Sequence, residues 1–270
     1  MTSPPHPDPL PQRGEGAEGK SFQGRCTRMR LVVVRDYEEL SREAARWVAR
    51  RLLERPDLVL ALPTGDTPIG MYRELVRLHR EGLVDFSQVT AFNLDEYLGI
   101  PPDHPQSFAS FMHRHLWDQV NLKKERVHIP ASLPEDPDGE CTRYESLIQE
   151  AGGLDLAVLG LGENGHIAFN EPGTPLESRT HVAQLSEETR RAEAASFGGL
   201  ERTPKRAITM GIRTIMNAWE VLLLVSGVEK AGVLSRTLSG PITPEVPASV
   251  LQLHPAFTVL CDRAAASLLK

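Results

Sequence analysis

The chain has 270 residues, 30 Lys+Arg against 36 Asp+Glu, a formal net charge of −6 and 40% hydrophobic residues. That length suits one large α/β domain or two small ones, and the mild acidity argues against a nucleic-acid binder, which needs a basic excess. No apolar run approaches the roughly 18 residues that span a bilayer. Three cysteines (Cys26, Cys141, Cys261), odd in number and far apart, give neither a disulfide framework nor a zinc pattern, so a reducing cytoplasm is the expected setting.

Residues 1–28 carry five prolines and four glycines and too little apolar surface to offset their ordering entropy. They lack the apolar central run of a secretory signal. The expectation is a tail outside the fold over 1–28, disordered or preceding a true start at Met29, and a single domain over 29–270. From Met29 onward, strand-like runs occur at 31–34, 58–62, 89–92, 154–159, 207–210, 221–225 and 257–260. Helical periodicities fall at 37–53, 68–80, 140–151, 228–238 and 263–269. This alternation predicts one Rossmann-like α/β domain, a mostly parallel sheet with helices on both faces. Trp47, Trp117 and Trp219 lie in apolar-periodic segments and are expected in the core.

Ligands of such sheets sit beyond the carboxyl ends of the strands. The first strand-end segment of interest reads Pro63-Thr64-Gly65-Asp66-Thr67-Pro68. Thr67 before Pro68 suits an N-cap and first turn, and the free amides and hydroxyls suit an anion at a helix start. An ordinary capped turn explains the segment equally well, and Asp66 would repel a phosphate. The second segment, Asn93-Leu94-Asp95-Glu96-Tyr97, could place one acid in a cleft as a base, although an Asp-Glu pair alone is more often a solvated turn.

The third segment, Gly160-Leu161-Gly162-Glu163-Asn164-Gly165-His166 through Asn170-Glu171-Pro172, formally matches the dinucleotide fingerprint. Pro172, Gly173 and Pro175 would break the helix that the fingerprint needs. A loop presenting Asn164, His166 and Glu171 together is the better reading. His113 and His115 are two apart, a spacing that points to different faces of a helix. With no acid or cysteine cluster beside them, no metal site is expected. His254 is expected to be a packing residue.

LPTGDTP, FNLDEY with HPQSFASFMHRH, GLGENGHIAFNEPG followed by SRT, GVEKA and LQLHP together resemble, in order, the glucosamine-6-phosphate deaminase (glucosamine/galactosamine-6-phosphate isomerase) family, over about residue 29 to the C-terminus. The resemblance implies a cofactor-free conversion of glucosamine 6-phosphate and water to fructose 6-phosphate and ammonia in amino-sugar catabolism, by a hydrolase working through an isomerase-type mechanism. Asp95 would be the base that moves a proton between C2 and C1. His166 would open the sugar ring, Glu171 would hold and tune it, and Asn164 would orient it. Thr64, Gly65, Thr67 and Lys230, with Pro63 and Asp66 in the same loop, would form the phosphate site.

Two positions depart from the family pattern. Asp66 replaces a small residue, and Ala195 stands where many members carry a phosphate-binding arginine; Arg190, Arg191 and Arg202 are the candidates to replace it. His181 and Ala183 stand where allosteric members carry basic residues, and the chain stops at Lys270 without their longer C-terminal segment, so no activation by N-acetylglucosamine 6-phosphate is expected. The expected partner is a small sugar phosphate, with no nucleic acid or membrane, the protein being a monomer or a homo-oligomer. Alternatives are a 6-phosphogluconolactonase-like hydrolase, a deaminase of another or an unphosphorylated amino sugar, and a sugar-phosphate sensor or dinucleotide binder. Asp95 disfavours the lactonase, the intact Asp95, His166 and Glu171 set disfavours the sensor, and Pro172–Pro175 disfavours the dinucleotide.

Overall fold

Valine- and leucine-rich runs of four to six residues form the central strands, and the amphipathic stretches between them form helices that bury one stripe each. The computed structural model describes residues 29–269; the expected tail at 1–28, Cys26 included, lies outside them. In chain order the elements are β1 (Arg30–Val34), α1 (Tyr37–Glu54), β2 (Val59–Leu62), α2 (Ile69–Arg80), β3 (Thr90–Asn93) and β4 (Asp95–Tyr97). Next come α3 (Phe108–His115), β5 (Val127–His128), α4 (Pro137–Glu150), β6 (Leu156–Gly160), β7 (His181–Gln184) and α5 (Glu187–Phe197). The chain continues through β8 (Arg206–Thr209), α6 (Ile212–Met216), β9 (Glu220–Val225), α7 (Ala231–Ser239) and β10 (Phe257–Asp262).

Seven strands form one sheet in the order β1-β10-β9-β6-β2-β3-β5, and every pairing in it is parallel. Strand residues alternate between two cores. Leu60, Leu62, Leu156, Val158, Leu222, Leu224 and Leu260 face α1 and α2. Ala61, Ala157, Leu159, Val221, Leu223, Val259 and Cys261 face α4, α6 and α7. The expected layout, parallel strands with helices on both faces, is therefore the observed one. Its strand order reverses between β2 and β6: β2 leads on to β3 on one side, β6 to β9 on the other. Such a reversal parts the two following loops and opens a crevice at the strand ends.

One expected strand belongs elsewhere. The run at 207–210 contributes β8, which joins an antiparallel sheet ordered β4-β8-β7. Strand-like composition sets a strand's existence but not its sheet, which is decided by partners distant in sequence. At 263–269 the chain forms only a short 3-10 turn, Ala265–Leu268. Its start is pinned by the Ala265 amide donating to Asp262 Oδ1 at 2.8 Å. Trp117 is buried and Trp47 packs at the edge of the first core, but Trp219, at the amino-terminal mouth of β9, is half exposed. His254 is buried as a packing residue, with Nε2 on the Ala218 carbonyl. Among the described residues no helix is long and apolar enough to cross a membrane, and no cluster of metal-ligating side chains occurs. Cys141 and Cys261 are buried free thiols, both pushed up to about 11 chiefly by burial.

Two buried phenols tie strand ends to helices. Tyr144 on α4 donates to the Asn93 carbonyl at 2.7 Å, and Tyr72 on α2 donates to the Pro63 carbonyl at 2.5 Å. Tyr144→Phe strands the Asn93 carbonyl without its donor in a dry interior, at a cost of about 1–3 kcal/mol. The variant should melt several degrees below the wild type by circular dichroism, and an unchanged Tm would contradict this account.

Candidate active site

The loops after β2, β3, β6 and β9 all emerge at the carboxyl edge of the sheet, around the reversal point. After β2, Gly65 takes a φ of +99°, open only to glycine without strain. This lets the chain turn from Pro63 into α2. Pro63 is buried and its carbonyl is occupied by Tyr72, so it shapes the loop from behind. Thr64 and Thr67 are half-buried, and Gly65 and Asp66 are exposed. The expected Thr67 cap is not formed. Pro68 is the N-cap and no side chain caps α2, because Thr67 is taken up in the turn closed by the Ile69 amide on the Asp66 carbonyl. The Asp66 carbonyl also accepts from Tyr37 at 3.0 Å.

After β3 the chain crosses from one sheet to the other within two residues. Leu94 accepts from the Met210 amide at 2.7 Å, and Asp95 opens β4 opposite Thr209 of β8. Asp95 is buried, and its carboxyl is pushed well above the ordinary range, first by burial and then by the charge of Glu96. Alternation along β4 sends the next side chain the other way. Glu96 accepts from the amides of Tyr97, Phe108 and Ala109, which ties β4 to the start of α3; burial nevertheless pushes it up to about 7. Asp95 also raises the buried phenols of Tyr72 and Tyr144, after burial itself. The Pro63 loop and the Asp95 carboxyl therefore share a neighbour in Tyr72.

The loop after β6 is bound to the same place. Phe169 donates its amide to Thr209 Oγ1 at 3.0 Å. Asn170 Nδ2 donates to the carbonyls of Met210 and Ile167 at 2.9 and 2.8 Å. No helix opens at Gly165; the loop closes instead on an Ile167–Asn170 bridge, against a dinucleotide site. Ala168 at its apex has a φ of 50°, the one positive-φ non-glycine among the described residues. Strain of this kind tends to collect at functional sites. A side chain at Gly162 would put its Cβ 2.3 Å from the His166 ring, so the ring lies against a position only glycine can fill.

His166, Asn164 and Glu171 form one cluster. Asn164 Nδ2 donates to Glu171 Oε2 at 2.8 Å, and Asn164 Oδ1 accepts from the His166 backbone amide at 3.1 Å. Asn164 thus orients the carboxylate and the loop backbone rather than the imidazole. His166 Nδ1 lies 3.8 Å from Glu171 Oε2, too far for a hydrogen bond, and has no hydrogen-bond partner. Glu171 does pull the imidazole upward, but burial outweighs it and Lys230 opposes it, so His166 sits below the ordinary histidine range. Burial thus favours the uncharged form of the imidazole.

Lys230 ends the 3-10 turn after β9, directly before α7, with Nζ 3.7 Å from Glu163 Oε1. The expected replacements for the missing arginine are committed elsewhere: Arg190 to the carbonyls of Leu200 and Thr203, Arg191 to Glu187. Arg202 lies beside the turn at Gly198 that ends α5. Sequence reasoning also missed Glu193 on α5. Burial and then the charge of Asp66 push its carboxyl up, and its own charge adds to the burial that raises Tyr97. The negative charge of Asp66 is thus felt at a second acid, Glu193 of α5. Thr189 and Ser186, which hold Glu171, were likewise missed; the Ser186-Glu-Glu-Thr189 pattern signals a helix cap, but not its long-range partner.

A parallel α/β sheet with an acid–base cluster at its reversal point defines a single-domain enzyme class that acts on a small polar substrate at the strand ends. More narrowly, residues 35–259 match the family described as glucosamine-6-phosphate isomerases/6-phosphogluconolactonase, and the chain belongs to it. It is 47% identical to glucosamine-6-phosphate deaminase of Thermoanaerobacter pseudethanolicus, over 89% of this chain and 95% of that protein. It is 46% identical to that of Clostridium perfringens, over 90% of this chain and all of that one. Among solved structures, a monomeric glucosamine-6-phosphate deaminase superposes with a TM-score of 0.87 at 46% identity, covering 89% of this chain and 100% of that one. The 6-phosphogluconolactonase of Trypanosoma brucei superposes at 0.72 with 21% identity, over 90% of this chain and 100% of that one, and shows the fold alone. The hydrolase class expected from the sequence is thereby corrected. The relatives at 46–47% identity carry the name deaminase, within a family described as isomerases.

A carboxyl whose pKa is raised by folding stabilises the folded state fully below its unfolded value, and that contribution is lost as pH rises through the raised value. Asp95 is such a group. Asp95→Asn, which cannot ionise, should melt above the wild type at about pH 8 and converge on it near pH 4. A difference independent of pH would show that Asp95 is not buried in this way.

Proposed function

We propose that this protein deaminates glucosamine 6-phosphate to fructose 6-phosphate and ammonia. The observation that carries the reading is the meeting of Asp95 with the His166–Glu171 loop on Thr209 and Met210. Neutral His166 moves a proton from the O1 hydroxyl to the ring oxygen O5, opening the sugar. Asp95, made more basic by burial, takes the C2 proton from the open-chain amino aldose and delivers a proton to C1, while O1 takes up the proton that the C2 ammonium nitrogen gives up as the enolamine and then the imine form. The resulting C2 imine adds water and releases ammonia. Glu171 keeps a negative charge beside His166 while that ring carries its proton, and Asn164 holds Glu171 in place. No step requires a cofactor.

Thr64, Gly65 and Thr67 with Lys230 receive the phosphate, and Pro63 supports their loop. The substrate reading rests on the relatives at 46–47% identity; a lactonase has no use for a base at C2. The remainder of the proposal is a domain of residues 29–270 with 1–28 outside it, acting in the cytoplasm on a small sugar phosphate, as a monomer or homo-oligomer. The test is ammonia release from glucosamine 6-phosphate, galactosamine 6-phosphate and glucosamine. Release from the first should dominate, and none from any by folded protein overturns the reading. Asp95→Asn should abolish exchange of the C2 proton with solvent; unchanged exchange removes Asp95 from its role.

A second reading, an unphosphorylated amino sugar, is favoured by Asp66 and Glu193, which bring negative charge to the loop assigned to phosphate. The two readings part on KM. Like charges 4 Å apart repel by about 1–4 kcal/mol between bulk water and a protein surface. With a phosphorylated substrate, Asp66→Gly should lower KM several-fold and leave kcat near the wild-type value. If KM for glucosamine 6-phosphate is unchanged while glucosamine turns over well in the wild type, the second reading holds.

A further inference from the structure

Glu171 is gripped from outside its own loop, by the first turn of α5. The Thr189 hydroxyl donates to Glu171 Oε1 at 2.6 Å, and the Ser186 amide donates to the same oxygen at 3.3 Å. Behind Thr189 the Ser186 hydroxyl donates to Thr189 Oγ1 at 2.9 Å, while the Thr189 amide donates to Ser186 Oγ at 3.1 Å. The donors thus run in one direction, from the helix cap through two hydroxyls to the carboxylate. On the other oxygen, Asn164 Nδ2 is again a donor. A carboxylate is acceptor-only when ionised, and every group hydrogen-bonded to the Glu171 side chain donates. The start of α5 adds its partial positive charge to the same end. Thr189 and Glu171 are both buried, so water cannot replace the hydroxyl without rearrangement.

We propose that Thr189 is a positioning residue for the acid–base cluster: through its hydroxyl, the cap of α5 fixes the Glu171 carboxylate in the one orientation that serves both Asn164 and His166. Thr189 touches no reacting atom and acts through Glu171. The charged groups facing His166 are Glu171 from its own loop and Lys230 from the segment after β9, with Glu163 beside Lys230. Removing the Thr189 donor leaves Glu171 Oε1 with the longer Ser186 amide contact alone. The carboxylate is then no longer held in one place relative to the His166 ring. The carrier of the inference is the hydrogen-bond geometry; its bearing on catalysis rests on the function proposed above.

Thr189→Val keeps the shape and removes the donor, and Thr189→Ser restores the donor without the methyl group. Loss of a hydrogen bond to a charged group predicts a fall in kcat on glucosamine 6-phosphate of about ten- to a hundredfold for the valine variant, with KM within about twofold. Its kcat–pH profile should shift along the pH axis, and the serine variant should regain most of the loss. In parallel, the His166 ring proton is titrated by NMR in the substrate-free protein, where valine should shift the midpoint and serine should not. A valine variant with wild-type kcat, pH profile and midpoint overturns the proposal, as does a serine variant as impaired as valine. If valine prevents folding, Thr189→Ala against Thr189→Ser makes the same comparison. If the wild type releases no ammonia, the function reading fails, and the NMR titration still decides whether Thr189 governs the cluster.

Discussion

The site depends on one seam, where the amide of Met210 meets the carbonyl of Leu94. That bond brings β8 beside the two residues in which the chain leaves the parallel sheet and enters the antiparallel one. On one side of the seam Asp95 is set opposite Thr209. On the other, Thr209 Oγ1 and the Met210 carbonyl take the amide of Phe169 and the side chain of Asn170. Asp95 and the His166–Glu171 cluster are separated along the chain by α3, β5, α4 and β6, yet both are fastened to the end of β8, at Thr209 and the Met210 that follows it. Buried amides must be paired, and here the pairing that satisfies them also assembles the chemistry.

The two acids of the cluster occupy opposite environments. Asp95 is dry, with a second carboxylate next to it in sequence, and is driven toward its protonated form. Glu171 is met by donors on both oxygens. Two carboxyl groups placed so differently can divide labour, one moving a proton and the other orienting its neighbours. His166 completes the division: burial keeps it neutral against the pull of Glu171.

Much of this was legible in the sequence, for identifiable reasons. Periodicity located the central strands and the long helices α1 and α2, because each buries a regular stripe. Gly162 and Gly165 beside His166, with Pro172 close behind, announced a loop rather than a helix, and the loop is there. What failed depends on distant partners. The run at 207–210 looked like any central strand, and only its pairing with Asp95 and His181 puts it in a second sheet. Thr67 looked like a cap but is consumed by a turn. Glu193 gave no sign of itself, since one glutamate on a charged helix means nothing until its burial and the charge of Asp66 acting on it are known.

The seam also has a consequence for how the molecule is made. Asp95 lies in the first half of the chain and its strand partner Thr209 in the second. No amino-terminal fragment ending before β8 can contain the site, even one that has already formed β2, β3 and β6. Synthesis from the amino terminus delivers Asp95 and the His166 loop first and their shared anchor later, and closing so long a loop is the slow kind of event in folding. A partly made or partly unfolded chain therefore carries Asp95, Asn164, His166 and Glu171 without the alignment that β8 and the residue after it impose.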